Sequence, residues 1–200
     1  MVSLLSAPHR RGDGTFHGIA SHYLQTVEAG DVIQARVLPA GEDFRLPLDP
    51  SVPVILVSAG TGVAPFRGVV LDRVHTGERG PLLSYFGCDH PEVDYLHRAE
   101  MEAAQRAGAV SMRPAFSRAP ENGVMFVQDR IAAEGDEVWE LLERGGRVYV
   151  CGDGRRMAPA VREAFQELYR KHAGGDERQA ALWFAGLQES GRYVEDVWAG

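Results

Sequence analysis

The chain has 200 residues, 44% of them hydrophobic, and a formal net charge of −7 at pH 7. This composition can bury a core, and its acidic balance disfavours a general nucleic-acid binder, because phosphate backbones require a basic surface. The two cysteines lie far apart and no His-Glu-x-x-His motif occurs, so neither a disulfide scaffold nor a zinc site is indicated. No apolar run approaches the roughly eighteen residues of a membrane span and no secretion leader is visible, so we expect a cytoplasmic protein.

The sequence pattern of residues 1–50 predicts short strands and one helix, followed by a proline-rich boundary. Residues 2–5 alternate like the end of a strand rather than the start of a domain, so we expect the chain to be a fragment. Residues 18–27 have helical spacing, whereas residues 31–38 and 44–46 are typical of short strands. Prolines at positions 47, 50 and 53 restrict their neighbours to extended conformations and predict a domain boundary after residue 50.

The remaining residues, 51–200, alternate between strand and helix patterns, which predicts a doubly wound parallel sheet of five strands in an α/β fold. The predicted strands cover residues 53–59, 82–88, 109–115, 147–151 and 193–197. The predicted helices lie near residues 65–76, 92–106, 124–133, 136–144, 156–172 and 176–190. In such sheets ligands bind beyond the carboxyl ends of the strands, so the residues that follow each strand are the candidates for a site.

The first of these strand ends lies in residues 53–67, which read PVILVSAGTGVAPFR. Gly60 and Gly62 let the backbone approach an anion, and Pro65 suits the first turn of a helix whose free N–H groups would face that anion. Pro65 stands where the dinucleotide fingerprint has its third glycine, and no Gly-Lys-Ser/Thr follows as in a P-loop. By itself the stretch fits a packing corner as well as a nucleotide site.

Three other strand ends have side chains that could contact a ligand, and each also has a purely structural interpretation. Ser117 and Arg118 offer a hydroxyl and a planar guanidinium to a phosphate, or form a solvated loop. Cys151 precedes a second glycine-bearing corner at Gly152, or is a small buried apolar residue. Trp198 either caps the core or covers a flat cofactor ring.

Taken in order, the motifs GTGVAPFR, YFGC with DYL, AFSR, YVCGDG with MAP, and the final DVW resemble the NADPH-binding domain of diflavin reductases. This cytochrome P-450 reductase group lies within the ferredoxin-NADP reductase superfamily, and the chain most resembles the reductase end of bacterial self-sufficient fatty-acid hydroxylases. The resemblance implies hydride transfer from NADPH to FAD, then electron transfer through FMN to a haem monooxygenase. The implied partners are the missing FAD, FMN and haem domains.

The resemblance also implies roles for individual residues. Gly60, Thr61 and Gly62 would hold the pyrophosphate and nicotinamide side of NADPH, and Ser117 with Arg118 would hold the adenosine 2′-phosphate. Further cofactor-binding positions by this resemblance are Pro65, Gln128, Gly152, Asp153 and Met157.

By the same resemblance, Cys151 and Asp196 would flank the hydride-transfer site, while Trp198 would stack on the flavin ring and move aside for the nicotinamide. The protein supplies placement and electrostatics for chemistry that belongs to the cofactors.

The segment GIASHYL resembles the stretch by which the family's FAD domain holds the flavin pyrophosphate, with matches at Gly18, Ile19, Ala20 and Ser21. Residues 1–50 would then be the end of a β-barrel FAD domain, followed by the NADP(H)-binding domain. Because most of that barrel is missing, we expect the chain to bind NADP(H) and to purify nearly colourless.

Two departures from the family pattern concern the 2′-phosphate. Val124 and Phe126 stand where relatives carry Lys and Tyr, and Asp89 stands where relatives often carry Arg. We therefore hypothesise a weaker preference for NADPH over NADH, with Arg155 or Arg156 as partial replacements.

Two rival functions remain open from the sequence. A nucleotide-binding module without catalysis would not need Cys151, Asp196 or Trp198, so their presence favours the hydride site. A sulfite-reductase flavoprotein subunit would keep the same chemistry and change only the electron acceptor.

Overall fold

The computed structural model describes residues 2, 4–9, 12–38 and 41–198. The chain divides into two compact units, Met1–Ala40 and Gly41–Gly200. Within the described part of the chain, none of the helices combines the length and apolar character that crossing a bilayer requires.

The first unit contains a two-stranded antiparallel sheet, β1 (Ser6–Pro8) with β2 (Thr15–His17), followed by helix α1 (Ile19–Thr26). The helix confirms the prediction for residues 18–27. The prediction of a strand over residues 31–38 is wrong, because these residues pair with no neighbour and are exposed. The strand expected over residues 2–5 is also misplaced: pairing begins at Ser6, and residue 3 lies outside the described residues.

The second unit is built on a parallel sheet whose strands are β3 (Val54–Ala59), β4 (Leu82–Cys88), β5 (Ser111–Phe116), β6 (Arg147–Asp153) and β7 (Tyr193–Trp198). The strand order is β5-β4-β3-β6-β7, and every neighbouring pair is parallel. The helices are α2 (Ala64–Thr76), α3 (Arg98–Arg106), α4 (Val127–Ala133), α5 (Gly135–Glu143), α6 (Met157–Ala173) and α7 (Glu177–Glu189). The predicted five-stranded α/β fold is confirmed.

Strand β3 is buried on both faces, which explains why its sequence is a continuous apolar run rather than an alternating one. Ile55 and Val57 pack with residues of α4, α5, α6 and α7 on one face of the sheet. Val54 and Leu56 pack with residues of α2 and α3 on the other face. The two sets of helices therefore cover opposite faces of the sheet, as a doubly wound fold requires.

The segment before β3 differs from the sequence prediction. Residues 42–44 form a short 3₁₀ helix instead of the strand expected over residues 44–46. The Phe44 ring packs edge-on against Tyr149 with ring centroids 5.6 Å apart, and the Tyr149 hydroxyl donates to the Arg45 carbonyl at 2.6 Å. These tertiary contacts, which no local pattern encodes, decide the conformation of the segment.

Two helices also begin later than predicted. Helix α3 starts at Arg98 rather than near residue 92, because His97 has a left-handed backbone conformation with φ of 55°. Helix α4 starts at Val127, after Phe126 in an extended conformation. Both shifts leave loops at the carboxyl ends of β4 and β5.

The strand order reverses between β3 and β6. From β3 the chain proceeds to β4 and β5 on one side, and β6 and β7 are added on the other side. The helices that follow β3 and β6 diverge to opposite faces, and this leaves a crevice beyond the carboxyl ends of the two strands. The fold thus places the loops after β3 and β6 next to each other.

The burial of β3 predicts the effect of a truncation. Leu56→Ala removes a fully buried side chain, so we expect a loss of about 2–5 kcal/mol in the free energy of unfolding. Leu182→Ala is the matched control, because Leu182 is 65% exposed on α7, and it should change stability by less than about 0.5 kcal/mol. Urea unfolding followed by circular dichroism measures both; equal losses would contradict the assignment of β3 to the core.

Candidate functional site

A cleft at the carboxyl edge of the sheet in the second unit has a volume of about 530 Å³. It is bounded by the loops that follow β3, β4, β5 and β6. Its lining residues are Ala59, Gly60, Gly87, Cys88, Asp89, Asp94, Ser117, Met125, Phe126, Val127, Gln128, Asp153, Arg156 and Met157. The cleft therefore collects five of the predicted cofactor-binding positions: Gly60, Ser117, Gln128, Asp153 and Met157.

The glycine turn after β3 forms one wall. Gly60 has φ of 54°, and a Cβ built there would meet no atom within 4 Å, so this backbone is open to close approach by a ligand. Gly62 is different: its Cβ would lie 2.2 Å from the Cys151 carbonyl oxygen. Gly60 thus leaves space, whereas Gly62 lets the turn pack against β6. Thr61 is half-buried between them, and Pro65 is exposed in the first turn of α2.

The corner after β6 forms the facing wall. Gly152 has φ of 144°, and a Cβ there would lie 3.1 Å from the Met157 side chain. The Asp153 carboxylate accepts hydrogen bonds from the backbone N–H of Arg155 at 2.8 Å and of Arg156 at 3.2 Å. Asp153 therefore shapes the turn before α6, and it leaves the Arg156 side chain at the cleft.

The ends of β4 and β5 are joined by Asp89. Its carboxylate accepts a hydrogen bond from the Ser117 hydroxyl at 2.7 Å and pairs with Arg118 Nε at 3.1 Å. The Arg118 backbone N–H donates to the Asp89 carbonyl at 2.8 Å. The two residues predicted to hold a phosphate are thus both engaged by a carboxylate.

Asp94 fixes the loop that carries Asp89. Its two carboxylate oxygens accept the backbone N–H groups of Asp89 at 2.8 Å and of His90 at 2.7 Å. The sequence indicated nothing of this role, although an acidic residue a few positions after a loop start is a known way to cap a turn.

An apolar wall completes the cleft and was not predicted from the sequence. Met125 and Phe126 precede α4 and are 39% and 47% exposed, which is high for large apolar side chains beside a cavity. Gln128 lies next to them on the first turn of α4. The departure at Phe126 was visible in the sequence, but its position beside the cleft depends on where α4 begins.

The three predicted catalytic residues lie together on β6 and β7 and do not line this cleft. Cys151 and Asp196 are register partners across the two strands, and Asp153 pairs in the same way with Trp198. The Cys151 side chain packs with the cluster on the α2 side, whereas Met157 of the cleft belongs to the cluster on the opposite face. The carboxyl edge of β6 therefore separates the cleft from these residues.

Exposure differs strongly among the three. Cys151 is buried, whereas Asp196 is exposed and Trp198 is 49% exposed.

Burial, with a smaller contribution from the Asp196 charge, raises the pKa of the Cys151 thiol to about 11. Burial, together with the charges of Asp94 and Asp89, raises the pKa of Cys88 to about 12. Both thiols are neutral at physiological pH.

The predicted flavin-binding residues belong to the first unit. Gly18 precedes α1, and Ile19, Ala20 and Ser21 form its first turn. The Ser21 hydroxyl donates to the Gly18 carbonyl at 3.1 Å and accepts the Leu5 N–H at 3.2 Å. These bonds hold the start of α1 against Leu5, the residue just before β1, within that unit.

Among the charged residues that line the cleft are three aspartates, Asp89, Asp94 and Asp153, and one arginine, Arg156. Within the described residues, no group of three or more His, Cys, Asp or Glu side chains is arranged to hold a metal ion. The lining of the cleft thus combines apolar side chains with three carboxylates and the Arg156 cation.

Comparison of the sequence with known proteins identifies relatives of this chain. Residues 56–163 match the family of oxidoreductase NAD-binding domains. The chain is 39% identical over 203 residues to a bifunctional cytochrome P450/NADPH–P450 reductase of Bacillus cereus, and 39% identical to reductase 1 of the same name from Bacillus subtilis. Each alignment covers 100% of this chain and 19% of the relative.

A second kind of relative is a sulfite reductase [NADPH] flavoprotein alpha-component from a Shewanella species. It is 36% identical over 198 residues, which cover 98% of this chain and 32% of the relative. The chain therefore spans between about a fifth and a third of the length of these curated relatives.

The two glycines of the first turn predict different responses to alanine. Gly62→Ala should destabilise the protein by about 3 kcal/mol or more, because its methyl group would overlap the Cys151 backbone. Gly60→Ala should cost only about 1–2 kcal/mol, from left-handed backbone strain without a clash. Urea unfolding of both variants tests the difference, and a larger loss for Gly60→Ala would contradict it.

The raised thiol pKa values predict the titration of the cysteines. Because the fold binds these protons more tightly than the unfolded chain, the thiols stabilise the fold fully below about pH 8.5 and lose this contribution as pH rises further. In NMR of the chain labelled with ¹³C at cysteine Cβ, neither signal should titrate below about pH 10, whereas both should titrate near 8.5 in urea. A midpoint below pH 9 in the folded chain would refute the prediction.

Proposed function

Because the chain belongs to the family of oxidoreductase NAD-binding domains, of the diflavin-reductase type, we propose that it binds NADPH or NADH and positions the nicotinamide for hydride transfer to FAD. The observation that carries this proposal is the cleft at the strand-order reversal, with the open backbone of Gly60 on one wall. Doubly wound sheets bind dinucleotides at this position.

The pyrophosphate fits the turn between β3 and α2. The absence of a Cβ at Gly60 leaves space for close approach, and the 13-residue helix α2 directs its N-terminal N–H groups toward the same place. Arg156, on the facing wall, supplies a cation that can donate charge-assisted hydrogen bonds to the pyrophosphate oxygens. These groups would hold the part of the ligand that NADH and NADPH share.

The adenosine end fits the other part of the cleft. The volume of about 530 Å³ lies within the range of about 300–1,000 Å³ that is typical of small-ligand sites. Phe126 and Met125 offer an apolar surface against which the adenine can pack, and Gln128 can hydrogen-bond to its edge. Ser117 and Arg118 lie at the ribose end.

The nicotinamide end would cross the carboxyl edge of β6 to Cys151, Asp196 and Trp198. The bound nicotinamide and flavin supply the hydride chemistry themselves. The neutral Cys151 thiol adds no charge beside the reacting carbon, and the Asp196 carboxylate favours the positive charge that develops on the nicotinamide ring. The exposed Trp198 indole would cover the flavin until the nicotinamide displaces it.

The rest of the reaction requires chain beyond these residues. By likeness to the P450 reductases, the chain would be the NADP(H)-binding domain that follows an FAD domain, with Gly18–Ser21 on the flavin pyrophosphate. Onward transfer would run through FMN to a haem monooxygenase domain. The similarity to the sulfite reductase flavoprotein supports a second candidate acceptor for the same chemistry. A binding module without catalysis is disfavoured by the presence of Cys151, Asp196 and Trp198, which nucleotide binding alone does not need.

The role of Arg156 provides a test of the proposed function. Arg156→Ala should weaken NADP⁺ and NAD⁺ by about tenfold each, because a charge-assisted hydrogen bond to the shared pyrophosphate contributes about 1.5–3 kcal/mol. Isothermal titration calorimetry of the full chain measures both dissociation constants. Arg144→Ala is the matched control, since Arg144 follows α5 and does not line the cleft.

Two results would contradict the proposal. If the parent chain bound neither nucleotide, the proposed function would be wrong. If Arg156→Ala bound both nucleotides as tightly as the parent chain and the Arg144→Ala control, Arg156 would have no role at the pyrophosphate.

A further inference from the structure

Asp89 occupies the position at which doubly wound sheets distinguish the two nicotinamide dinucleotides. It directly follows β4, the strand next to β3, and its side chain lines the cleft that begins at Gly60. At the end of this neighbouring strand an acidic side chain binds the hydroxyl groups of the adenosine ribose, whereas an arginine accommodates a 2′-phosphate. This chain has both kinds of side chain at this point, since Asp89 lines the cleft and pairs with Arg118 of the next loop.

The Asp89 carboxylate holds the two groups that a phosphate would need. One oxygen accepts the Ser117 hydroxyl at 2.7 Å, and the other pairs with Arg118 Nε at 3.1 Å. The backbone of Asp89 is fixed as well, by the Asp94 carboxylate on its N–H and by the Arg118 N–H on its carbonyl. The carboxylate is therefore placed by its loop and does not merely follow Arg118.

We propose that Asp89 is the residue that sets nucleotide specificity in this chain, and that it shifts the preference from NADPH toward NADH. The inference rests on the proposed function, because it concerns the ribose end of the same cleft. Asp89 accepts a hydrogen bond from the free 2′-hydroxyl of NADH. It excludes the 2′-phosphate of NADPH by repulsion and by competition for Ser117 and Arg118.

The hydrogen-bonding capacity of the cleft supports the assignment to Asp89 rather than to another acid. Asp94 and Asp153 each accept two backbone N–H groups, which fix their carboxylates within turns. The Asp89 carboxylate accepts only side-chain donors, and a carboxylate has lone pairs for about four hydrogen bonds. It can therefore take a ribose hydroxyl without losing Ser117 or Arg118.

The charge balance opposes a phosphate at the same place. Asp89 and Asp94 both line this end of the cleft, and the Val124 and Phe126 side chains near it carry no charge. Arg118 is 77% exposed, so its ion pair with Asp89 is weak in itself and can open. The specificity therefore arises mainly from placing a second anion beside Asp89, and only in part from breaking the ion pair.

The experiment compares dissociation constants for NAD⁺ and NADP⁺ in the full chain by isothermal titration calorimetry. For the parent chain we expect NADP⁺ to bind less than about tenfold more tightly than NAD⁺. Asp89→Asn should tighten NADP⁺ and weaken NAD⁺, which raises the ratio of the two constants in favour of NADP⁺ by about tenfold. Asp89→Ser is a second variant with the same expected direction, in case the amide perturbs the loop.

Two controls separate a local effect from a change in overall charge. Glu92→Gln removes one negative charge from the same loop, but Glu92 pairs with Arg98 and does not line the cleft, so the ratio should stay within about twofold of the parent value. In an Arg118→Ala background, Asp89→Asn should still raise the ratio by more than about threefold, because the repulsion between the Asp89 carboxylate and the phosphate does not depend on Arg118.

A parent preference for NADP⁺ of about a thousandfold, or an unchanged ratio in both Asp89 variants, would overturn the proposal. A ratio that changes equally in Glu92→Gln would also overturn it, since general charge would then explain the effect. Failure of the proposed function is distinguishable from these results, because then neither nucleotide would bind to the parent chain or to any variant.

Discussion

The pairing of β3 with both β4 and β6 is the constraint on which the candidate site depends. Because β3 lies in the middle of the sheet and is buried on both faces, its only access to solvent is at its ends. The strand order reverses at its carboxyl end, so the turn at Gly60 faces the corner at Gly152. A crevice at this edge thus follows from the topology together with the absence of side chains at the two corners.

The two glycines of the turn after β3 have different roles, because Gly62 serves packing and Gly60 leaves open space. Gly62 permits contact with the backbone of Cys151, so it fixes the distance between the β3 and β6 corners. A Cβ at Gly60 would meet no atom within 4 Å, so this residue leaves the space that this distance defines. The candidate site is therefore shaped by the same backbone contact that packs the two corners against each other.

The acid-rich lining of the cleft changes how the family resemblance applies to this chain. The motif residues Ser117 and Arg118 are present, but their side chains are bound to Asp89, and Phe126 adds an apolar surface in place of a donor. A motif can therefore be complete in sequence and still differ in its electrostatics. The proposed nucleotide preference therefore depends on the residues around the motif and not on the motif itself.

The sequence by itself determined the α/β fold, because buried parallel strands and amphipathic helices have periodicities that local chemistry imposes. It also located the strand ends just before Gly60 and Ser117, whereas β6 continues past the predicted end at Cys151 to Asp153. Only the tertiary structure decided that residues 42–44 form a 3₁₀ helix against Tyr149, that Gly62 serves packing, and that Asp89 engages Ser117 and Arg118. These features depend on contacts between residues distant in the chain, and local pattern carries no information about such contacts.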